Sequence, residues 1–476
     1  MKSLKEIAAK SVLSESQLKK LEEMILRKGP YTRESVREEL AWFCAGLGMN
    51  DYYFKTTPLE TIADHIQAIK AAEIIATIKQ EKSVQVDLAT EHENDAIYLV
   101  DDFHLRALEV ERRIEERYPN CRLQSYRTQR KARGLEHLRM YVVCRPRFLV
   151  PHPPAGETDL RKIADTTFLE TAPVETFDRY QALIAKTRDW ESPHIDVSRV
   201  ARTGELRLTV VTKRDSSYRF FTNVSEAINS HGLVSNRKYT EQFSNGRTAY
   251  AFYFKDLKDK SLIQDLVEDI SLIYVIPESP LSRLFREGKL NAQETVFAVS
   301  AWSFAHQFLT GYNEEYLRLA EALKDSPELL GILRTLRTKL VKDTYTEARV
   351  WDAFLENYEV IKKLFQLFDR KFSPSSSRRE VAKDLEALQK DIAVNVPVEI
   401  DRDILQAVTV FIEAVLKTSF YVKEKTSIAY MYDPGFLNKV DYPVTPHGVF
   451  HVIAAEMRGF HVRFRDIARG GIRIVR

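Results

Sequence analysis

Through the first 80 positions, apolar residues recur at three- and four-residue intervals. Ile62, Ile66 and Ile69 do so, and again Ile74, Ile75 and Ile78, a period that predicts amphipathic helices. From residue 97 the pattern changes. Ile97-Tyr98-Leu99-Val100 reads as a short buried strand, and Phe103, Ala107, Val110, Ile114 and Tyr118 mark one face of a helix. Two strand-like runs follow, at 121–126 and 140–145, joined by a basic turn with Arg127, Arg130, Lys131 and Arg133. No aromatic platform interleaves with these cations, so the turn reads as a solvated tip rather than a nucleic-acid grip. Pro151-His152-Pro153-Pro154 then acts as a stiff spacer.

The pattern repeats more clearly over 205–277. Residues 206–211 read as a strand, and Phe221, Val224 and Ile228 as a helix face that stops at His231-Gly232. A strand around 234–241 leads to Asn245-Gly246, a strong hairpin signal, and residues 247–254 return as the partner strand. A second helix carries Leu262, Ile263, Leu266, Val267 and Ile270, and 272–276 reads as a closing strand. This β-α-β-β-α-β order is ferredoxin-like. Such a module serves ligand sensing and assembly alike, and both readings stay open. Residues 281–372 are again helical, and Ser373-Pro374-Ser375 begins a linker. Ile404, Leu405, Val408, Phe411, Ile412, Val415 and Leu416 form a helix face with Asp401 and Asp403 at its start. Strands at 427–432, 449–453 and 460–464 close the chain.

Composition narrows the function classes. At 476 residues the chain has room for about three domains. Its 71 Lys+Arg against 68 Asp+Glu give +3, too balanced for a concentrated nucleic-acid face. Only 16 glycines occur, about half the usual roughly 7%, whereas a dinucleotide crevice spends glycines on its phosphate turn. The one GxG, Gly46-Leu47-Gly48, has Asp51 where the fingerprint needs a third glycine. Cys44, Cys121 and Cys144 have neither zinc nor redox spacing and predict reduced thiols. The charged start, Met1-Lys2-Ser3-Leu4-Lys5-Glu6, is no secretory signal, and no apolar run approaches a membrane span. The expected location is the cytoplasm.

Two features could carry chemistry. His447 and His451 are four apart and His461 follows. On a strand, residues four apart sit about 13 Å from each other, which predicts no shared metal. The second feature is Arg469-Gly470-Gly471-Ile472-Arg473. Paired glycines admit a ligand close to the backbone, and the flanking guanidinium groups suit a carboxylate. A glycine turn with solvated arginines would have the same sequence.

That motif follows Gly459-Phe460-His461-Val462-Arg463-Phe464, with Thr418-Ser419-Phe420-Tyr421 and Tyr430-Met431-Tyr432-Asp433-Pro434 upstream. Together these resemble the large NAD-dependent glutamate dehydrogenases, and the tandem units upstream look like ACT domains. The resemblance implies a multidomain α+β fold. Its parts are a helical N-terminal region (1–90), two ACT-like units (95–200 and 204–278), a helical domain (281–372) and the start of an α/β substrate domain (380–476). It implies substrate binding by Arg469, Gly470, Gly471 and Arg473, with Arg469 standing where the wider group has lysine. In the family the catalytic lysine, general-base aspartate and dinucleotide-binding domain lie beyond this motif. The expectation is therefore an N-terminal portion with no catalytic, cofactor or metal residue of its own. NAD would be the cofactor of the complete enzyme, L-glutamate and 2-oxoglutarate its substrates, and an amino acid the effector of the ACT-like units. A homo-oligomer is expected, with neither nucleic acid nor membrane as partner. The rival expectation is a non-enzymatic ACT-type amino-acid sensor.

Overall fold

A computed structural model describes residues 3–46, 49, 51–79, 88–89, 96–102, 104–127, 138–190, 192–213, 219–255, 257–275, 279–310, 314–336, 344–374, 381–422, 425–440, 445–454, 457–465 and 473–474. The chain divides into two units, Met1–Ile263 and Gln264–Arg476.

The first unit opens with the predicted helices: α1 (Leu4–Ala8), α2 (Glu15–Arg27), α3 (Arg33–Gly46), α4 (Asp51–Thr56) and α5 (Leu59–Lys79). Ser3 with Glu6, and Ser14 with Gln17, form reciprocal capping boxes that start α1 and α2. Ile62, Ile66 and Ile69 are buried, as their spacing predicted. Ile74 and Ile78, from the second run, are exposed, and the side chain of Ile75 lies outside the described residues. Apolar periodicity reports a helix but does not say how far its neighbours extend.

The next elements are β1 (Leu88–Ala89), β2 (Ala96–Asp101), α6 (His104–Arg117), β3 (Arg122–Arg127) and β4 (Leu138–Cys144). Then come α7 (Leu160–Ile163), α8 (Thr166–Thr171), α9 (Val174–Lys186), β5 (His194–Arg199), β6 (Leu206–Lys213), α10 (Phe220–Ser230), β7 (Arg237–Gln242) and β8 (Arg247–Phe254). All eight strands join one sheet in the order β1-β2-β4-β3-β7-β8-β6-β5. Every recorded pairing is antiparallel. The sheet is two β-α-β-β halves, β2-α6-β3-β4 and β6-α10-β7-β8, meeting where β3 pairs with β7. Alternation sorts the side chains. One face carries Tyr141, Lys238, Tyr250 and Phe252 toward α6 and α10; Phe221 of α10 stacks on Tyr250 and Phe252. The other face packs Tyr126, Met140, Val142 and Tyr239 against α1–α5, and Val211, Phe243 and Ala249 against α7–α9.

Two expectations change here, the closing strand and the element order. The closing strand at 272–276 does not form: α11 (Lys260–Ile273) takes its first two residues, Tyr274 and Val275 form a turn, and Ile276 lies outside the described residues. Leu272, Ile273, Tyr274 and Val275 are all buried, and a short fully buried run has no period that separates helix from strand. The fourth strand of this half is instead β5, which precedes it in sequence. The order is therefore β-β-α-β-β rather than β-α-β-β-α-β. The Asn245-Gly246 hairpin forms, but only Gly246 takes a positive φ, 83°, in a three-residue loop closed by Phe243 N donating to Arg247 O at 2.9 Å. Of the basic turn, Arg127 pairs with Asp102; Arg130, Lys131 and Arg133 lie outside the described residues. Gly232 does take the left-handed stop after α10, at φ 67°.

Beyond α11 the second unit has α12 (Ser282–Arg286), α13 (Ala292–Thr310), α14 (Glu314–Ala322), α15 (Pro327–Leu336), α16 (Glu347–Glu356), α17 (Tyr358–Phe372), α18 (Ala382–Asn395) and α19 (Glu399–Ala414). The strands β9 (Val415–Thr418), β10 (Ser427–Tyr432), β11 (Gly448–Ala454), β12 (Arg458–Arg463) and β13 (Arg473–Ile474) form an antiparallel sheet in the order β13-β12-β11-β10-β9. The predicted helix face stops short: Ala414 ends α19, Val415 and Leu416 belong to β9, and Leu416 is exposed. Lys371 sets that end. Its Nζ donates to the carbonyls of Ile412, Glu413 and Val415 at 2.7, 3.1 and 2.9 Å, which satisfies acceptors a helix C-terminus leaves open. Asp401 is buried and pairs with Arg349.

The β3–β7 junction is fastened by charge. Glu111 of α6 is fully buried and receives both the Lys238 ammonium and, at 2.8 Å, the Tyr141 hydroxyl. Lys238→Met strands that carboxylate and should cost about 3–5 kcal/mol. The double replacement Glu111→Leu with Lys238→Met should recover most of the loss, because both desolvation costs vanish together. Urea unfolding of the two variants checks this; a single variant within about 1 kcal/mol of the parent would refute it.

Candidate functional site

The C-terminal sheet builds the first site. Its register aligns one row of directly opposed residues: Thr418, Tyr430, His451, Phe460 and Arg473. Two hydroxyls of α13 anchor the row from below. Tyr430 donates to Ser300 Oγ at 2.8 Å, and His451 Nε2 lies 3.2 Å from Ser303 Oγ. His451 Nδ1 is 2.9 Å from the Tyr432 hydroxyl, and the imidazole stacks on Phe460 with centroids 4.0 Å apart and planes 8° from parallel. Burial, with a smaller contribution from Arg458, pushes the His451 pKa down to about 3. The ring is therefore a neutral, oriented plate, engaged on both nitrogens. At the start of β12, Arg458 lies 4.4 Å over the Trp302 ring and 3.3 Å from Glu347. The first half of β12 is thus held at Arg458 and at Phe460.

Of the four residues expected to bind substrate, the structure places one. Arg473 begins β13, its backbone paired with Phe460; its side chain lies outside the described residues, as do Arg469, Gly470 and Gly471. The three histidines are not brought together as ligands. His451 is spent on Tyr432 and Ser303, His447 N donates to Arg463 O, and His461 opposes Phe450 on β12. Among the described residues no group of three His, Cys, Asp or Glu could hold a metal.

Sequence reasoning missed a second site, in the first unit. A cavity of about 540 Å³ lies between the end of α6, the start of α10 and the sheet below, walled by Ile114, Leu123, Val143, Phe221 and Tyr250. That volume falls in the range of small-molecule pockets. Glu115 of α6 supplies the cap that α10 lacks. Its carboxylate accepts from Phe221 N at 2.9 Å, from Thr222 N at 3.0 Å and from the Thr222 hydroxyl. Desolvation outweighs these bonds and, with Glu111 nearby, pushes the Glu115 pKa up to about 7. Arg219, at the N-cap of α10, pairs with Glu116 at 2.6 Å. No local signal marks this arrangement, because Glu115 and Thr222 are 107 residues apart.

A helix-flanked eight-stranded sheet, followed by a helical unit closing on a second antiparallel sheet, defines a multidomain α+β protein. Comparison with known families gives three matches. "NAD-dependent glutamate dehydrogenase, N-terminal domain" covers residues 12–75, "NAD-specific glutamate dehydrogenase, second domain" covers 86–287, and "Bacterial NAD-glutamate dehydrogenase, catalytic domain" covers 388–476. The chain belongs to the family of large NAD-specific glutamate dehydrogenases, and carries the N-terminal domain, the second domain and part of the catalytic domain. It is 33% identical to "Glutamate dehydrogenase 2" of Dictyostelium discoideum, over 93% of this chain and 48% of that protein. Identity to the "NAD-specific glutamate dehydrogenase" of Neurospora crassa is 30%, over 97% of this chain and 47% of that protein. To the "Probable NAD-specific glutamate dehydrogenase" of Schizosaccharomyces pombe it is 29%, over 93% and 45%. The chain spans about half the length of the curated relatives it matches. No helix among the described residues is long and apolar enough to cross a membrane.

The two buried titratable groups have opposite pH signatures. His451 is held neutral, so its contribution to stability is complete above the ordinary histidine value near 6.5 and is lost as pH falls toward about 3. Its Cε1 proton resonance should keep the neutral position down to about pH 4; titration near 6.5 would show the ring to be exposed. Glu115 favours the protonated form, so its contribution is complete below about 4.5 and is lost as pH rises through about 7. Glu115→Gln should flatten the Tm-against-pH curve between those values, and a parallel curve would refute the assignment.

Proposed function

We propose that the chain is the regulatory and substrate-domain part of an enzyme that converts L-glutamate, NAD and water to 2-oxoglutarate, ammonium and NADH. The observation that carries this reading is the catalytic-domain match over 388–476. It spans the whole β9–β13 sheet and runs through Arg469, Gly470, Gly471 and Arg473. A dicarboxylate substrate entering a partly dry cleft needs fixed cations, and the glycines admit it to the backbone beside them. In this reading Arg473, in register with Phe460 and through it with the oriented His451, is a substrate-binding cation. The other arginine, Arg469, stands on the far side of the two glycines in sequence.

NAD enters through the names of the relatives. Among the described residues both sheets are antiparallel, and a dinucleotide sits at the carboxyl ends of parallel strands. The residues described here therefore do not fit the cofactor, and we assign it none of them. The eight-stranded sheet of the first unit, two similar halves with paired helices on one face, supports reading it as a tandem ACT-like regulatory module.

The test is Arg473→Ala in an active enzyme of full family length. Losing a charge-assisted bond of about 1.5–3 kcal/mol should lower kcat/KM for glutamate by roughly 10- to 150-fold, with the Kd for NADH within about twofold of the parent. A folded variant whose kcat/KM also stays within about twofold would reduce Arg473 to a solvated strand residue.

A further inference from the structure

The strand that opens with Arg473 is held by very little. It is two residues long. Among the described residues β13 pairs with β12 alone, Gly459 opposite Ile474 and Phe460 opposite Arg473. β12 is itself lightly covered: Gly459 is buried and the other residues of the strand are half-buried. Where β12 sits above the helices is therefore set by the few side chains it lays against its neighbours.

Phe460 makes the closest of these ring contacts. Its centroid is 4.0 Å from that of His451, with planes 8° apart, against 6.5 Å from Tyr432. The imidazole is fixed in turn from two elements, Nε2 at 3.2 Å from Ser303 Oγ of α13 and Nδ1 at 2.9 Å from the Tyr432 hydroxyl of β10. A ring engaged at both nitrogens cannot swing about its Cβ–Cγ bond without losing a hydrogen bond. A phenyl ring has no such restraint, so a histidine here specifies a plane where an apolar ring would only fill space. Burial also keeps the imidazole neutral, so the plate brings no charge of its own beside the strand.

We propose that His451 is a positioning residue for substrate binding: by fixing the plane of Phe460 it sets the backbone position from which Arg473 meets a dicarboxylate. His451 touches no substrate itself. The proposal rests on the reading of Arg473 as a substrate-binding cation and adds the buried group on which that cation depends. Such dependence is steep, because a misplacement of about 1 Å is enough to spoil a directed polar contact.

The experiment uses the same full-length enzyme as the Arg473 test. His451→Phe keeps a ring and removes both hydrogen bonds. It should raise KM for glutamate by about tenfold, the worth of two ordinary hydrogen bonds, with kcat and the Kd for NADH within about twofold of the parent. Tyr432→Phe removes one hydroxyl at nearly constant volume and should raise KM by about threefold; it serves where His451→Phe fails to fold. The deciding measurement is a double-mutant cycle with Arg473→Ala. If His451 acts through Arg473, adding either change to Arg473→Ala should lower kcat/KM by less than about twofold further. An unchanged KM in a folded single variant, multiplied losses in the double variants, or a matching fall in kcat or NADH affinity would each overturn the proposal. A silent Arg473→Ala is a distinct result, which removes the substrate-binding reading and this proposal with it.

Discussion

The first unit depends on charges buried at the junction of β3 and β7. A continuous eight-stranded sheet could have been joined there by apolar packing alone. Instead Arg122 of β3 reaches across to Glu241 of β7, to Asp165 at the N-cap of α8 and, at 2.5 Å, to Tyr52 of α4. On the opposite face Glu111 meets Lys238, and Arg139 holds Asp102 while donating to Ser235 O at 2.8 Å. Buried pairs add little net stability over well-packed apolar residues, but they heavily penalise a wrong partner. Sliding β3 by one residue against β7 would turn Arg122 to the other face and leave Glu241 and Asp165 unneutralised. The register of the seam, and with it the shape of the cavity above, follows from that penalty.

The second unit uses a different device. Its core is aromatic: Phe297, Phe304, Phe365, Phe368 and Phe411 pack with Tyr430 and Tyr432 at centroid distances near 5–6 Å. Rings of this size fill space without fixing it uniquely. The few polar contacts at its edge, from Ser300 and Ser303 to Tyr430 and His451, select one arrangement and pass it through Phe460 to the strand that opens with Arg473. The backbone of that strand is thereby paired beside a plate that keeps the same protonation state across the physiological range.

Much of the local structure was legible. The helix of Val110 and Ile114, the left-handed stop at Gly232, the Gly246 turn and the strands β10 to β12 all follow from period and turn chemistry that a few neighbouring residues determine. The Arg469-to-Arg473 motif was legible as a motif, and of it the structure places only the backbone of Arg473. Less was legible where local signals compete. Buried residues at the end of α11 are apolar on every side and carry no period. At the end of α19, Val415 and Leu416 continue the helical spacing, but they belong to β9, which pairs with β10, and the Lys371 ammonium, 41 residues from Ile412, caps the helix before them.

Except at the ends of α11 and α19, the sequence by itself determined the helices and strands it marked by period, the hairpin at Gly246 and the family motif at the C-terminus, because each is settled within a turn or two of chain. Tertiary structure alone decided that the two β-α-β-β halves share a sheet and that the strand completing the second half precedes it. It alone also decided that Glu115 caps a helix more than a hundred residues away and that a cavity opens above Thr240. Those outcomes depend on desolvated charges and enclosed space, which exist only after distant segments have met.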